Sequence, residues 1–352
     1  MLNNFDRTLA NWADANGLPG YRCRQVRKWL FEKRASDWQE MSDLPKALRE
    51  KLAAELPIWS STIAKHTTAD DGTEKLLLTL AGGGQVECVL LRDGRDRREA
   101  GRRTFCVSSQ VGCGMGCVFC ASGLDGVERN LTAGEILEQF LLLQRLLRPD
   151  ERLSHIVMMG MGEPLANVEN VLTALGEASR EDGLGVSARR ITISTVGLPP
   201  AIRRLAELDC RYRLAISLHA PNDELRTEIV PTNKKVGVHA ILDAADDYYA
   251  QSRRRLTFEY VLLAGLNDQP HHAKQLARLV GDRHALVNVI PYNPVAGLPY
   301  ETPSAAAQQA FRKVLTDAGV PIRFRHRKGD KINAACGQLR RNAAKVVSLE
   351  TN

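Results

Sequence analysis

From Phe105 onward, short apolar runs alternate with helix-length amphipathic segments; the runs are TFCVSS, HIVMMG, RITISTV, RLAISLH, LTFEYVLL, LVNVIPY and PIRFRHR. No other feature limits the fold so strongly. Strands separated by helices pair in parallel through right-handed crossovers, and the resulting sheet is buried on both faces. HIVMM, apolar without alternation, suits such a doubly covered strand. Thr132 with Glu135 makes a capping-box pattern ahead of a helix reaching Leu147, while Pro303 and Gly319 bracket a second helix over Thr302 to Ala318. Six or seven such units allow an open or incomplete barrel or a doubly wound sheet, and composition does not choose between them. In both, ligands gather at the C-terminal ends of the strands.

The residues upstream read differently. Residues 1–60 hold RQVRKWLFEK and LPKALREKLAAEL, apolar at helical spacing with basic residues between, and predict a small helical accessory module. Residues 61–98 predict a β-hairpin over about Lys75 to Leu91, around AGGGQ, and then a charged linker. Residues 99–345 form the α/β body with a basic C-terminal segment. The chain carries a net charge of +7, and from Arg312 to the end ten Lys and Arg stand against three Asp and Glu. That tail therefore holds the whole excess, which suits either a polyanionic partner or a plain solvated terminus. No stretch of about 18 uninterrupted apolar residues occurs and the N-terminus lacks a basic region followed by an apolar one. The expectation is a cytoplasmic protein with no membrane association, in which eight cysteines stay reduced.

GCGMGCVFCASG, just after the first strand of the α/β body, places Cys113, Cys117 and Cys120 in one Gly-rich loop. A closed zinc site needs four Cys or His ligands, and no second C-x-x-C or H-x-x-x-H partner is present. Three thiolates on an iron–sulfur cube would leave one iron open for chemistry. A cluster and a structural zinc both remain readings of the spacing. Gly160, Gly162 and Glu163 in MMGMGEPL, Ser194 in TIST, Ser217 and His219 in SLHAPND, and Asn293 in IPYNP put glycines and polar groups at further strand ends. Each alone is an ordinary turn residue. Their joint occurrence with the cysteine loop is far more specific.

C-x-x-x-C-x-x-C at the first strand of a βα repeat resembles the radical S-adenosylmethionine (SAM) enzymes. SSQVGC, MMGMGEPL, SLHAPNDE, VPTNKK and DKINAACGQL, together with YRCRQVRKWLF near the start, resemble the RlmN/Cfr family of ribosomal RNA adenine methyltransferases over about nine-tenths of the chain. The resemblance implies an incomplete (β/α)6-type barrel. It implies a 4Fe-4S cluster on Cys113, Cys117 and Cys120, with the fourth iron binding SAM, and SAM contacts from Gly162, Glu163, Ser194, Ser217, Leu218, His219 and Asn293. Two SAM molecules are used per turnover. The first methylates Cys336; the second yields a deoxyadenosyl radical that abstracts hydrogen from the S-methyl group, and the methylene radical adds to adenine. Cys106 then attacks the sulfur of Cys336, leaving a disulfide and releasing methylated RNA, while Glu87 matches the proposed acceptor of the adduct's proton. A radical route is chemically apt, because carbon 2 or 8 of adenine is an amidine carbon with no nucleophilicity toward a sulfonium.

The same resemblance implies 23S rRNA and tRNA as substrates and a reducing electron donor such as flavodoxin. It suggests phosphate contacts from Arg323, Arg325, Arg327, Lys328 and Lys331, and from Arg22, Arg24, Arg27 and Lys28 in the accessory module. GEPL and VPTNKK favour carbon 2 over the carbon 8 of Cfr-type resistance enzymes. Two readings of other classes stand beside this one: a non-catalytic RNA-binding protein stapled by a zinc or cluster site that never cleaves SAM, and a radical enzyme for a small metabolite, which would have no use for Cys336 or the basic tail.

Overall fold

The computed structural model describes residues 2, 5–93, 101–208, 212–325, 329 and 332–339. Three helices open the chain: α1 (Phe5–Ala15), α2 (Tyr21–Phe31) and α3 (Lys46–Glu55). Phe5 and Leu9 on α1 and Val26 and Leu30 on α2 are buried, the four-residue spacing of an apolar stripe. Phe5 meets Phe31 edge to face at 5.7 Å. Arg27 lies over both rings and is 4% exposed. Its guanidinium pairs with Asp6 at 2.8 Å and with Glu177 and Asp182 of the α/β body at 2.7 and 3.0 Å. This corrects its expected place on an RNA-facing surface: helical periodicity turns Arg27 inward, where its charge joins module to body. Arg24 and Lys28 are exposed and Arg22 is half-buried.

The hairpin is formed by β2 (Glu74–Leu80) and β3 (Gln85–Asp93), and β1 (Ser61–Thr68) adds a third antiparallel strand that lacks apolar alternation because it is largely exposed. β3 then pairs antiparallel with β4 (Arg102–Cys106), so this meander is the margin of the main sheet and no separate unit. After β4 come a small antiparallel pair, β5 (Gln110–Gly112) and β6 (Val127–Asn130), and α4 (Ala133–Arg145). The body continues as β7 (His155–Met158), α5 (Val168–Ser179), β8 (Ile191–Thr195), α6 (Pro199–Glu207), β9 (Arg213–Ser217), α7 (Asp223–Ile229) and α8 (Val238–Ser252). It closes with β10 (Leu256–Leu262), α9 (Pro270–Val280), β11 (Ala285–Pro291), α10 (Ala305–Asp317) and β12 (Ile322–Phe324).

All seven apolar runs are strands. The ten-stranded sheet has the order β1-β2-β3-β4-β7-β8-β9-β10-β11-β12, and from β4 to β12 every pairing is parallel. Among the described residues β4 and β12 do not pair, so the curl is an incomplete barrel. Sequence signals set the helix starts: the Thr132 hydroxyl accepts from the Glu135 amide at 3.2 Å, and the Glu135 carboxylate accepts from the Thr132 amide at 2.9 Å. In α10 the cap is Ser304, one residue after Pro303.

Candidate active site

The cysteine loop leaves β5 and returns at β6. Gly112 is required at its neck: its φ is +77°, and a Cβ there would lie 2.0 Å from the Gly126 carbonyl. The Cys113 amide donates to that same carbonyl at 2.9 Å. From outside, the Pro231–Lys235 turn of the VPTNKK motif braces the loop. The Thr232 hydroxyl donates to the Met115 carbonyl at 3.0 Å, and the Val118 amide donates to the Ile229 carbonyl at 3.1 Å.

Cys113, Cys117 and Cys120 border a cavity of about 150 Å³ at the C-terminal ends of the parallel strands. Gly162, Glu163, Ser194, Ser217, His219, Asn293 and Cys336 line the same cavity. Three expected residues stand back from it. Leu218 is fully buried in the core, so only its backbone lies near the site. Cys106 is buried behind the lining, where burial pushes its thiol up to about 12 and the Cys336 sulfur and Arg325 guanidinium act on it electrostatically. Glu87 pairs with Lys75 at 2.7 Å, and Lys75 also donates to the Asn333 carbonyl at 2.9 Å. Arg327, Lys328 and Lys331 lie outside the described residues. All seven described cysteines are free thiols, so a Cys106–Cys336 disulfide is no resident part of the fold.

Glu163 sits in the GMGE turn. Gly162 has φ +101°, and its missing Cβ leaves room for the Gln110 amide, which would otherwise be 2.7 Å away. The Glu163 carboxylate accepts from the Val196 and Leu165 amides at 2.7 and 3.0 Å. Burial raises its pKa to about 7, partly offset by those amides. His219 adopts φ +60°; its Nδ1 accepts from the Val261 amide at 3.0 Å, which leaves the proton on Nε2. Burial, with Arg226 nearby, pushes its pKa down to about 3, so the ring is neutral. Phe119 packs edge-on against it at 4.9 Å.

One arginine escaped the sequence reading, and another has a different partner from the one expected. Arg226, 1% exposed, donates to the carbonyls of Leu218 at 3.0 Å, Ser217 at 3.1 Å and Val196, and to Asn233 Oδ1 at 2.7 Å. It binds SLHAPND to VPTNKK and fixes the ends of β8 and β9. Its one signal was an Arg seven residues after His219, within a short helix. Arg325, expected on phosphate, instead donates to the Cys336 sulfur at 3.3 Å. Cys336 is further held by Asn293 Nδ2 on its carbonyl at 3.2 Å, while the Ala121 amide takes the Gly337 carbonyl at 2.8 Å and Ser122 takes that of Leu339 at 2.7 Å. The ACGQL segment is thus laced to the cysteine loop, 216 residues earlier in sequence for Cys120.

The donor set suits an iron–sulfur cluster. Burial and mutual repulsion hold the three thiols protonated, Cys113 up to about 12, and a cationic centre among them reverses that balance toward thiolate. Among the described residues no three Cys, His, Asp or Glu side chains converge on one point, so the thiols border the cavity without forming a closed cage. Asn293, which lines the same cavity, has a buried Oδ1 with no hydrogen-bond partner among the described residues, a spare acceptor.

Comparison with known proteins agrees with this geometry. Residues 107–277 match the model of the radical SAM superfamily, and residues 1–58 match that of the ribosomal RNA large subunit methyltransferase N-terminal domain. The chain is 62% identical over 346 residues to the "Probable dual-specificity RNA methyltransferase RlmN" of Rhodopirellula baltica, covering 98% of this chain and 92% of that protein. It is 44% identical over 332 residues to the protein of the same name from Thermus thermophilus, covering 94% and 92%. A crystal structure of a radical SAM methyltransferase from Sphaerobacter thermophilus superposes with a TM-score of 0.91 at 42% identity, covering 97% of this chain and 99% of that one. A cysteine loop, a glycine–glutamate turn and a second cysteine segment share one cavity, and relatives match almost end to end: this chain belongs to the RlmN family of radical SAM RNA methyltransferases.

Proposed function

We propose that this protein methylates carbon 2 of an adenosine in 23S rRNA, and an adenosine beside the anticodon in tRNA, with Cys336 carrying the one-carbon unit. The observation that carries the reading is that Cys336 lines the same cavity as Cys113, Cys117 and Cys120, with the buried Cys106 close enough for the two sulfurs to act on each other electrostatically. Cys113, Cys117 and Cys120 would hold the cluster, and Gly162, Glu163, Ser194, Ser217, His219 and Asn293 would hold SAM; together the two groups would supply one-electron reduction and radical chemistry. The chain's own residues do the rest. Glu163 offers buried carboxylate oxygens to a cationic amine. The neutral His219 presents Nε2–H as a donor. Arg325 orients the Cys336 sulfur through its hydrogen bond. Cys106 is the thiol that frees product by attacking that sulfur, a step that needs the two within disulfide reach. Glu87, kept beside Lys75, accepts the proton lost from the adenine carbon. A reducing donor such as flavodoxin completes the cycle.

The test is Cys106→Ala, assayed on an rRNA fragment with methyl-labelled SAM under anaerobic conditions. The expected outcome is protein covalently joined to RNA, seen as a shifted band that nuclease collapses. Release of free methylated RNA at the wild-type rate would refute the assigned thiol roles. Mass spectrometry of digested product separates carbon 2 from carbon 8.

A further inference from the structure

The opposite end of the curled sheet carries a second, unassigned cluster. Side chains alternate along a strand, so residues four apart share a face. Met159, Ser194 and Ser217 line the cavity. Four residues before Met159 and Ser217 stand His155 and Arg213, each the first residue of its strand, and Arg190 ends the short turn that leads into β8. Arg102 stands four residues before Cys106, and Thr104 pairs in register with His155. On the far side, Arg323 is the second residue of β12, the last strand of the sheet. The curl brings the two margins together: Arg102 is acted on by the charges of Arg213, Arg323 and Arg325, and His155 by those of Arg102, Arg190 and Arg213.

We propose that this N-terminal mouth, formed by Arg102, His155, Arg190, Arg213 and Arg323, is a binding site for phosphoryl anions. Like charges gathered at one opening repel unless an anion enters. Among the described residues, Arg190, Arg213 and Arg323 make no ion pair, although all three are exposed and have room to find one. Among the described residues Arg102 donates to the Thr104 hydroxyl, and the carboxylate that acts on it is Asp93, its cross-strand partner. Crowding by the arginines and burial push His155 down to about 4, which leaves it a neutral hydrogen-bonding group within the cationic ring. Planar guanidiniums are the side chains best matched to phosphoryl oxygens. The mouth lies about 13 Å below the cavity at roughly 3.3 Å per residue, within the span of an RNA that continues past its target adenosine. A backbone phosphate of RNA and a free phosphate compound present the same chemistry.

The experiment uses the full-length, cluster-reconstituted protein and an Arg190→Ala/Arg213→Ala double variant, with exposed Lys274→Ala as control. Two probes are titrated: inorganic tripolyphosphate at fixed ionic strength, read by calorimetry, and an rRNA fragment, read by filter binding across a salt series. The proposal expects tripolyphosphate binding to wild type and to the control, and at least a tenfold loss in the double variant. If RNA is the source, the double variant's slope of log affinity against log salt also falls, by about 0.7 to 0.9 for each lost contact. If the source is a free phosphate compound, the RNA slope is unchanged while tripolyphosphate binding is lost. Thermal unfolding without anion should show the double variant at least as stable as wild type, because repulsion has been relieved. The proposal is overturned if tripolyphosphate binds wild type no better than the double variant, or if the double variant unfolds several degrees lower with no anion present.

Discussion

His219 and Arg226 show how a single buried group sets both the shape and the pH response of the site. The folded state holds His219 near pKa 3 while an unfolded chain holds it near 6.5, so between these values the unfolded state binds more protons. Stability therefore rises with pH through this window and is lost as pH falls below about 6.5. His219 contributes a slope of up to about 1.4 kcal/mol per pH unit. His219→Asn, which tolerates the positive φ, should show a visibly shallower acid limb in urea denaturation between pH 4 and 6, though His155 still contributes in the same direction. For Arg226, replacement by Met strands the carbonyls of Val196, Ser217 and Leu218. The expected cost is about 3 kcal/mol, read as a lower denaturation midpoint with an unchanged slope; a loss under 1 kcal/mol would show that water replaces the guanidinium. The cysteine loop stood out in the sequence by its spacing, whereas Glu163 and His219, ordinary turn residues taken singly, were picked out by the resemblance; all of them line one cavity. Arg226 was not picked out, and Arg325 was read only as a phosphate contact, since their partners are backbone carbonyls and a sulfur brought close only by the folded chain.

At the scale of elements, the turns that follow the strands carry the site and the strands carry the turns. The GMGE turn is the tightest of these. Gly162→Ala forces a Cβ to 2.6 Å from the Gln110 side chain and 2.7 Å from its amide, at a φ that L residues rarely adopt. The turn must then shift and carry Glu163 away from the Val196 amide. The variant should bind SAM at least tenfold more weakly by calorimetry while its helical circular dichroism matches wild type; unchanged affinity would separate the turn from the cofactor. The seven strands were plain in the sequence because doubly covered strands are continuous apolar runs. β1 was not, because an exposed strand with polar and charged residues carries no such pattern. Arg27 misled for a related reason: Lys and Arg in a helix read as solvated, and only packing of Phe5 and Phe31 beneath the guanidinium reveals a buried one.

The whole molecule is one curled sheet with different chemistry at its two ends. At the C-terminal end, thiols from the first βα turn and from the last described segment meet across one cavity, so the site exists only when β4 through β12 and the ACGQL segment are all in place. Sequence order could not reveal that meeting except through resemblance, because Cys120 and Cys336 are separated by nearly the entire barrel. The arginines at the other end were invisible for the same reason: each is a single charge at or beside a strand start until the sheet curls. The central claim is that Cys336 carries the transferred carbon. Its most direct test is Cys336→Ala, reconstituted anaerobically and assayed for iron content and for label moving from methyl-labelled SAM into rRNA. The account predicts unchanged iron and no labelled RNA; full labelling of RNA by this variant would contradict it.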